Sequence, residues 1–220
     1  MVFHDLPIVS NEEFPFLDAI RNYEKPVEGR VNVPKYHKYR PGDIIIFKAR
    51  NDTLWAVVTY IHRYESLDAY LDGEGYKQAI PWAKSKEEAE SIYNKWSTPD
   101  NRKKHGFVGI GIKPIKVIEC SIREPYFEQI KSGSKKVEGR LYRDKWAKVD
   151  PDDLLHINKS FYVKVDRVSH YNSFKRMLQC EKCVIPGKPL KEALDIYYDI
   201  YKDRSEEIRY GVVAIRIVRV

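Results

Sequence analysis

The chain has 220 residues, of which 43% are hydrophobic and 32% charged, with a formal net charge of +7. This composition allows a buried core and excludes a disordered chain, and no apolar run reaches the roughly 20 residues of a membrane-spanning helix. Three cysteines do not make a disulfide framework. Because the N-terminus lacks the pattern of a signal peptide, we expect an intracellular protein, cytoplasmic or nuclear, without a membrane partner.

The positive charge is concentrated in the second half of the chain. Residues 1–115 contain 17 Lys and Arg against 16 Asp and Glu, whereas residues 116–220 contain 22 against 16. Clustered cations attract phosphate groups. The charge therefore favours a polyanionic partner, and the second half is the better candidate to bind it.

The chain contains an internal duplication. "PFLDAIRNYEKPVEGR", starting at Pro15, aligns with "PYFEQIKSGSKKVEGR", starting at Pro125. Further pairs follow in the same order, and the last is "GFVGIGIKPI" with "GVVAIRIVRV". A repeated series of this kind predicts two copies of one fold, here residues 1–115 and residues 116–220.

In chain order, each copy is predicted to begin with a helix, because apolar residues recur at helical spacing in residues 15–22 and 125–132. A short strand carrying "VEGR" follows, then a Pro-Gly-Asp turn and the remaining strands. The later segments are the strands Trp55–Ile61 and Phe161–Val168, the helices that begin at Ser66, Ser173, Ser85 and Pro189, and the closing strands. With about five short strands and three helices per copy, the prediction is α+β. It favours two small β-barrels, each with helices over its openings, over a parallel doubly wound sheet.

The order of these elements and the spacing Gly-x-Lys-x-x-Glu-x-Arg resemble the ASCH domain, a member of the PUA-like superfamily of β-barrels. The second copy carries the whole motif: Gly133, Lys135, Glu138 and Arg140. The first copy carries Lys25, Glu28 and Arg30. Two positions depart from the family pattern: Tyr23 replaces the motif glycine in the first copy, and Asp152 replaces the turn glycine in the second.

The resemblance implies a cleft between the first helix and the barrel that receives RNA or a nucleotide. Within the motif, Glu and Arg two residues apart on a strand share one face. The planar fork of Arg suits a phosphate or the edge of a base, Glu can accept from an exocyclic amine, and Lys25 or Lys135 could reach a phosphate. Gly29 and Gly139 permit close approach by a helix or by a ligand. The alternative is that Glu and Arg only lock the strand to its helix.

Some ASCH relatives are hydrolases that act on RNA or on an N-acylated cytidine. Where the amidohydrolase branch has Thr, this chain has Glu28 and Glu138. A carboxylate does not replace a hydroxyl nucleophile on equal terms, although it could activate water. The sequence therefore favours binding over catalysis, with Lys135 and Glu138 as the catalytic residues if the protein is an enzyme.

Aromatic and basic residues outside the motif extend the predicted binding surface. Trp55 and Tyr162 occupy matching strand positions and could stack on bases, although packing is the alternative for such rings. Lys136, Arg143 and Lys145 are predicted to form a phosphate track beside the second cleft. We expect "NRKKHG", from Asn101, to be an exposed solubilising loop.

No cofactor or metal site is predicted. Cys180 and Cys183 lack the two further ligands of a structural zinc site at regular spacing. The sequence thus predicts a nucleic-acid-binding protein, with RNA as the expected ligand and single-stranded DNA or a modified nucleotide as alternatives. A hydrolase and a protein-interaction module are the competing functional classes.

Overall fold

The computed structural model describes all 220 residues, which divide into two compact units. Unit 1 is Met1–Ile115 and unit 2 is Lys116–Val220. None of the helices has both the length and the apolar character needed to cross a membrane.

Each unit contains five strands and several short helices. The strands of unit 1 are β1 (Phe3–Pro7), β2 (Val27–Val31), β3 (Ile44–Lys48), β4 (Thr53–Tyr64) and β5 (Phe107–Ile115). Its helices are α1 (Phe16–Arg21), α2 (Leu67–Glu74), α3 (Tyr76–Ala79), α4 (Lys86–Asn94) and α5 (Pro99–His105), with a 3₁₀ helix at Pro34–Lys38. The strands of unit 2 are β6 (Val117–Cys120), β7 (Val137–Leu141), β8 (Leu154–Ile157), β9 (Phe161–Tyr171) and β10 (Val212–Arg219). Its helices are α6 (Tyr126–Ser132), α7 (Phe174–Cys180), α8 (Leu190–Ile200) and α9 (Arg204–Tyr210), with a 3₁₀ helix at Asp144–Lys148.

The two units have the same sheet topology. The strand orders are β1-β3-β4-β5-β2 and β6-β8-β9-β10-β7, with only β1–β3 and β6–β8 parallel. The two edge strands of each curled sheet are close enough for one arginine side chain to connect them. Arg30 of β2 donates to the Pro7 carbonyl at the end of β1, at 3.1 Å. Arg140 bonds the Ser121 carbonyl in the same way, at 3.0 Å. The predicted α+β fold with two tandem ASCH-like units is confirmed, and each sheet is a half-barrel because no backbone ladder joins its edges.

Each sheet buries both of its faces. In unit 1, Val108 and Ile110 of β5 point into the curled sheet, where Leu17 and Ile20 of α1 fill one opening. Phe107, the neighbouring residue on β5, faces the opposite way into a second core formed with α2, α3 and α4. Unit 2 repeats this division into an inner and an outer core. The two-sided burial explains why β3 and β5 are nearly continuous apolar runs.

The aspartate of the Pro-Gly-Asp turn connects that turn to the first strand of its unit. Asp43 accepts from the backbone N–H groups of Val2, at 2.9 Å, and Arg40, at 3.0 Å. Asp153 accepts from the N–H of Lys116 at 2.8 Å. In each unit, one carboxylate thus accepts hydrogen bonds from the backbone just before the first strand, β1 or β6, and holds that strand next to the turn.

Both departures from the family pattern lie where the backbone is left-handed. Gly133 ends α6 with φ +81°, and Tyr23 has φ +62° at the matching place. In the turn, Gly42 has φ +89° and Asp152 has φ +79°. Glycine is therefore the favoured residue at these positions, and Tyr23 and Asp152 each cost about 1–2 kcal/mol relative to it.

Several local predictions need correction. "NRKKHG" is not a loop, because α5 covers most of it: Pro99 occupies the first turn and the Thr98 hydroxyl accepts from the Asn101 N–H at 3.3 Å. Each unit has more helices than the predicted three. The additional helices α3, α5 and α9 are short and lack an apolar periodicity, so the sequence pattern did not reveal them. The parallel edge strands β1 and β6 were not located from the sequence.

Candidate nucleic-acid clefts

Each unit has a cavity over its motif strand. Cleft 1 has a volume of about 280 Å³ and cleft 2 of about 520 Å³. The Lys, Glu and Arg of the motif line both, with the glycine that stands between Glu and Arg, a ring from the first helix and a tyrosine from α4 or α8. The predicted motif residues are thus brought together, once in each unit.

Lys25 lies at the bottom of cleft 1 and is 1% exposed. Its Nζ donates to the carbonyl oxygens of Val27, at 2.8 Å, and Ala79, at 2.5 Å. The same Nζ is 3.3 Å from Oε2 of Glu28. These three partners use the three N–H groups of a lysine, and burial lowers the pKa of Lys25. Lys25 therefore holds its carboxylate in place and has no donor left for a ligand.

Lys135 repeats this arrangement in unit 2. Its Nζ donates to the carbonyl oxygens of Val137, at 2.8 Å, and Val184, at 2.5 Å, and lies 3.1 Å from Oε2 of Glu138. Val184 belongs to the segment between α7 and α8, so the lysine ties that segment to the motif strand. The contact with a ligand, or the catalytic role, that the sequence suggested for Lys135 stays a prediction, and the geometry gives it an orienting role.

A Glu–Arg ion pair forms the floor of each cleft. Arg30 Nε is 2.7 Å from Glu28 Oε1, and Arg140 Nε is 2.8 Å from Glu138 Oε1. These are close ion pairs without a directed hydrogen bond, because neither Nε–H points at a partner. The glutamate side chains are only 6% and 10% exposed, whereas the arginines are 27% and 20% exposed. The guanidinium is thus the charged group that a ligand can reach most easily.

The carboxylate of cleft 2 is ionised at neutral pH. Burial by itself would raise the pKa of Glu138, but the charges of Lys135 and Arg140 outweigh burial and hold this pKa below its usual value. Burial likewise opposes the charge of Arg140, and Glu138 nevertheless raises the pKa of that guanidinium. A carboxylate with a lowered pKa is a weak general base at neutral pH, and it remains a good acceptor for an amine.

In each unit the glycine between the motif Glu and Arg makes room for a helix. A Cβ on Gly29 would lie 2.6 Å from the hydroxyl oxygen of Tyr93, which comes from α4. A Cβ on Gly139 would lie 2.5 Å from the hydroxyl oxygen of Tyr197, which comes from α8. Of the two readings of these glycines, close approach by a helix accounts for the contact in both units.

The walls of the two clefts differ. Cleft 1 is closed by rings: Phe16 and Trp96 have centroids 5.6 Å apart, and Trp96 is 45% exposed. In cleft 2 the corresponding region has Tyr201 and Arg123, which line the cavity together with Arg140. The Arg140 guanidinium also lies over the ring of Trp146, 4.9 Å from its centroid. Cleft 2 is therefore both larger and more polar.

Trp55 and Tyr162 line neither cleft. Trp55 packs edge-on against Phe3, with centroids 5.9 Å apart, and Tyr162 stacks on His156 at 4.3 Å. Their predicted role in stacking on bases stays a prediction, at a surface separate from the motif.

The predicted phosphate track is divided. Arg143 bonds the Glu206 carboxylate and Lys145 donates to the Glu119 carbonyl, so both side chains have partners within unit 2. Lys136 is exposed and lines a different cavity from cleft 2. The three residues do not form one line along the cleft, and their contact with phosphate stays a prediction.

Several residues of the clefts were missed from sequence: Tyr93, Tyr197, Tyr201, Arg123 and Trp146. A signal existed for the first two, because "EEAESIY" and "KEALDIY" match between the copies and end in these tyrosines. No group of three or more His, Cys, Asp or Glu side chains is arranged to hold a metal ion.

Comparison with known proteins gives a family and two similar structures. The family model of the ASCH domain matches residues 13–116 and, again, residues 120–220. No curated protein matches the chain. The chain is similar to the crystal structure of hypothetical protein PH0355, at 33% identity and a TM-score of 0.46, over 52% of this chain and 100% of that one. It is also similar to the solution NMR structure of protein PF0455 from Pyrococcus furiosus, at 33% identity and a TM-score of 0.42, over 50% and 96% of the two chains.

Proposed function

The chain belongs to the ASCH domain family, with two copies of the domain, and from this premise we propose that it binds single-stranded RNA with one base held in cleft 2. The proposal rests chiefly on one observation: an ionised Glu–Arg pair at the floor of a cavity of about 520 Å³. That volume lies within the roughly 300–1,000 Å³ of ligand pockets. Cleft 1, at about 280 Å³, is the secondary site in this proposal.

The charges on the floor favour a base there over a phosphate. A carboxylate repels a phosphate, whereas Glu138 has lone pairs beyond those directed at Lys135 and Arg140 and can accept from an amine. The Arg140 fork, which is 20% exposed, can donate to a neighbouring ring nitrogen or carbonyl. A base with an exocyclic amine beside an acceptor, such as cytosine, fits this pair, and uracil lacks the amine.

The expected readout is discrimination between bases at equal charge. Fluorescently labelled 12-nucleotide oligo(C) and oligo(U) RNAs, and the matching DNAs, are titrated with the full chain at two salt concentrations. We expect oligo(C) to bind more tightly than oligo(U), and Arg140→Ala to weaken oligo(C) about 10-fold or more, the effect of losing a bidentate contact to a base. Arg30→Ala, the matched change in unit 1, is expected to weaken it less.

Two controls make the test decisive. Arg140→Lys keeps the charge and loses the fork, so it is expected to bind like Arg140→Ala if the base edge is recognised. Circular dichroism of each variant checks the fold, because Arg140 also bonds the Ser121 carbonyl. No retention of any oligonucleotide at low salt would refute the proposal. Product formation from RNA or N-acylated cytidine, lost in Glu138→Gln, would replace it with a hydrolase.

A further inference from the structure

A third cavity, of about 350 Å³, opens in unit 2 next to cleft 2. The buried Lys135 belongs to the lining of both cavities, so the two cavities are neighbours. Besides Lys135, three cationic residues line the third cavity: Lys136, just before β7, and Arg216 and Arg219 on β10. We call this cavity the basic groove.

The charges around the basic groove do not cancel. Arg216 lies 3.3 Å from the buried Glu181 carboxylate, which also accepts from Arg167 at 2.9 Å. The remaining carboxylate is that of Asp166, which is exposed in the lining. Lys136 and Arg219 are exposed, so the groove has a cationic surplus facing solvent.

Unit 1 has no counterparts of these cations. Arg216 is paired with Val137 across the sheet, as Gly111 is paired with Val27 in unit 1. By the same register, Pro26 and Pro114 stand where unit 2 has Lys136 and Arg219. Arg216 has a structural partner in Glu181. Because unit 1 forms the same sheet without counterparts of Lys136 and Arg219, these two exposed cations are not required by the sheet.

We propose that the basic groove binds backbone phosphates of the nucleic acid whose base occupies cleft 2, so this inference rests on the proposed function. A guanidinium fork and an ammonium are the groups that bind phosphodiesters best in proteins. Because Lys135 belongs to the lining of both cavities, a strand whose base occupies cleft 2 can place a neighbouring phosphate in the groove. Arg216 is shared with Glu181, so Lys136 and Arg219 carry the contact.

The test measures the salt dependence of RNA binding. Labelled 12-nucleotide oligo(C) is titrated with the full chain at four NaCl concentrations, and the slope of log K against log salt is compared between proteins. We expect Lys136→Gln combined with Arg219→Gln to reduce this slope by about 1.4, since each neutralised phosphate of a single strand contributes about 0.7. The matched control, Lys103→Gln with Lys104→Gln, removes two exposed cations of α5 in unit 1 and is expected to leave the slope unchanged. An unchanged slope in the groove variant, or an equal reduction in the control, overturns the proposal.

Two further measurements separate this proposal from its alternatives. The ratio of oligo(C) to oligo(U) affinity reports cleft 2, and we expect the groove variant to keep it, because phosphate contacts carry no base information. The groove variant could show the reduced salt slope while the unmodified protein binds oligo(C) and oligo(U) equally. That result refutes the proposed use of cleft 2 and leaves the groove as a phosphate site. Pyrophosphate titrated alone identifies the source of the phosphate. Pyrophosphate binding could saturate and depend on Lys136 and Arg219, while the salt slope of RNA binding is unchanged in the groove variant. That result overturns binding of a nucleic-acid backbone in favour of a small phosphate ligand.

Discussion

Replacing Glu138 with Gln tests whether the buried ion pairs stabilise unit 2. The side chain keeps its shape, while the negative charge between Lys135 and Arg140 is removed. Glu138 is only 10% exposed and lies 3.1 Å from the lysine and 2.8 Å from the arginine. The substitution therefore leaves two cations facing each other in the interior without a counter-charge.

The magnitude follows from these distances. At an effective dielectric constant of about 20, the two contacts are worth about 5 and about 6 kcal/mol, offset by several kcal/mol for burying the carboxylate. Breaking a buried pair by removing one partner costs about 3–5 kcal/mol. Because the glutamine oxygen can still accept one hydrogen bond, we expect a loss of about 3 kcal/mol in the free energy of unfolding.

The loss should depend on pH with a defined sign. The pKa of Glu138 in the folded protein is below its usual 4.5, so its stabilising effect is present above about pH 4.5 and is lost as the pH falls through the lower folded value. Glutamine does not titrate. The difference between the native protein and Glu138→Gln should therefore be largest at neutral pH and should narrow at pH 3.

The assay unfolds the full chain in urea and follows a signal that comes from unit 2 alone. Trp146 is the one tryptophan of unit 2, and Trp55, Trp82 and Trp96 belong to unit 1. Fluorotryptophan labelling with fluorine NMR thus gives one resonance for unit 2. Glu128→Gln, at an exposed carboxylate of α6, is the control and should change stability by less than about 0.5 kcal/mol. A loss below about 1 kcal/mol at neutral pH, or an equal loss at both pH values, would show that the carboxylate does not act as described.

Two further changes probe the backbone in the same urea titration, in which the resonances of Trp55, Trp82 and Trp96 report unit 1 and that of Trp146 reports unit 2. Tyr23→Gly should stabilise unit 1 by about 1 kcal/mol because Tyr23 has φ +62° and is 64% exposed; Tyr23→Ala, which keeps the left-handed Cβ, should change little, and an equal gain in both variants would contradict the backbone explanation. Gly139→Ala should destabilise unit 2 by about 1–3 kcal/mol, since its Cβ would lie 2.5 Å from the Tyr197 hydroxyl and 2.6 Å from Met177 Cε. Adding Tyr197→Phe should recover part of that loss, and no recovery would place the clash elsewhere.

Local features of the fold could be predicted from the sequence, and contacts distant in the chain could not. The motif strand, the turn and α1 follow from turn residues and short-range periodicity, which the duplication reports twice. The role of the lysines is different, because Lys25 bonds a carbonyl 54 residues away and Lys135 one 49 residues away. A basic residue in a motif indicates an anion site when its neighbours are unknown. The acceptors that occupy it become visible only when the chain is folded.

The positions of Trp55 and Tyr162 relative to the clefts could not be predicted from the sequence either. Strand alternation separates a wet face from a buried one only where one face is exposed. In β4, Leu54, Ala56, Val57 and Val58 are all buried, because the sheet has cores on both sides. The period-2 pattern is thus hidden around Trp55. Around Tyr162 in β9 the alternation is visible, with Val163 and Val165 buried, but it does not tell which surface carries the cleft.

Comparison of the two units distinguishes the structural role of the motif from the residues that could select a ligand. Both units keep the lysine and its two carbonyl acceptors, the carboxylate and the arginine, in nearly the same geometry. These groups are mostly occupied with one another, so the motif describes how a charged floor is built inside a small half-barrel. What differs lies at the rim: Arg123 and Tyr201 in cleft 2, Trp96 in cleft 1, and the cations of the basic groove. Ligand preference therefore has to be sought in the rim residues, which differ between the two units.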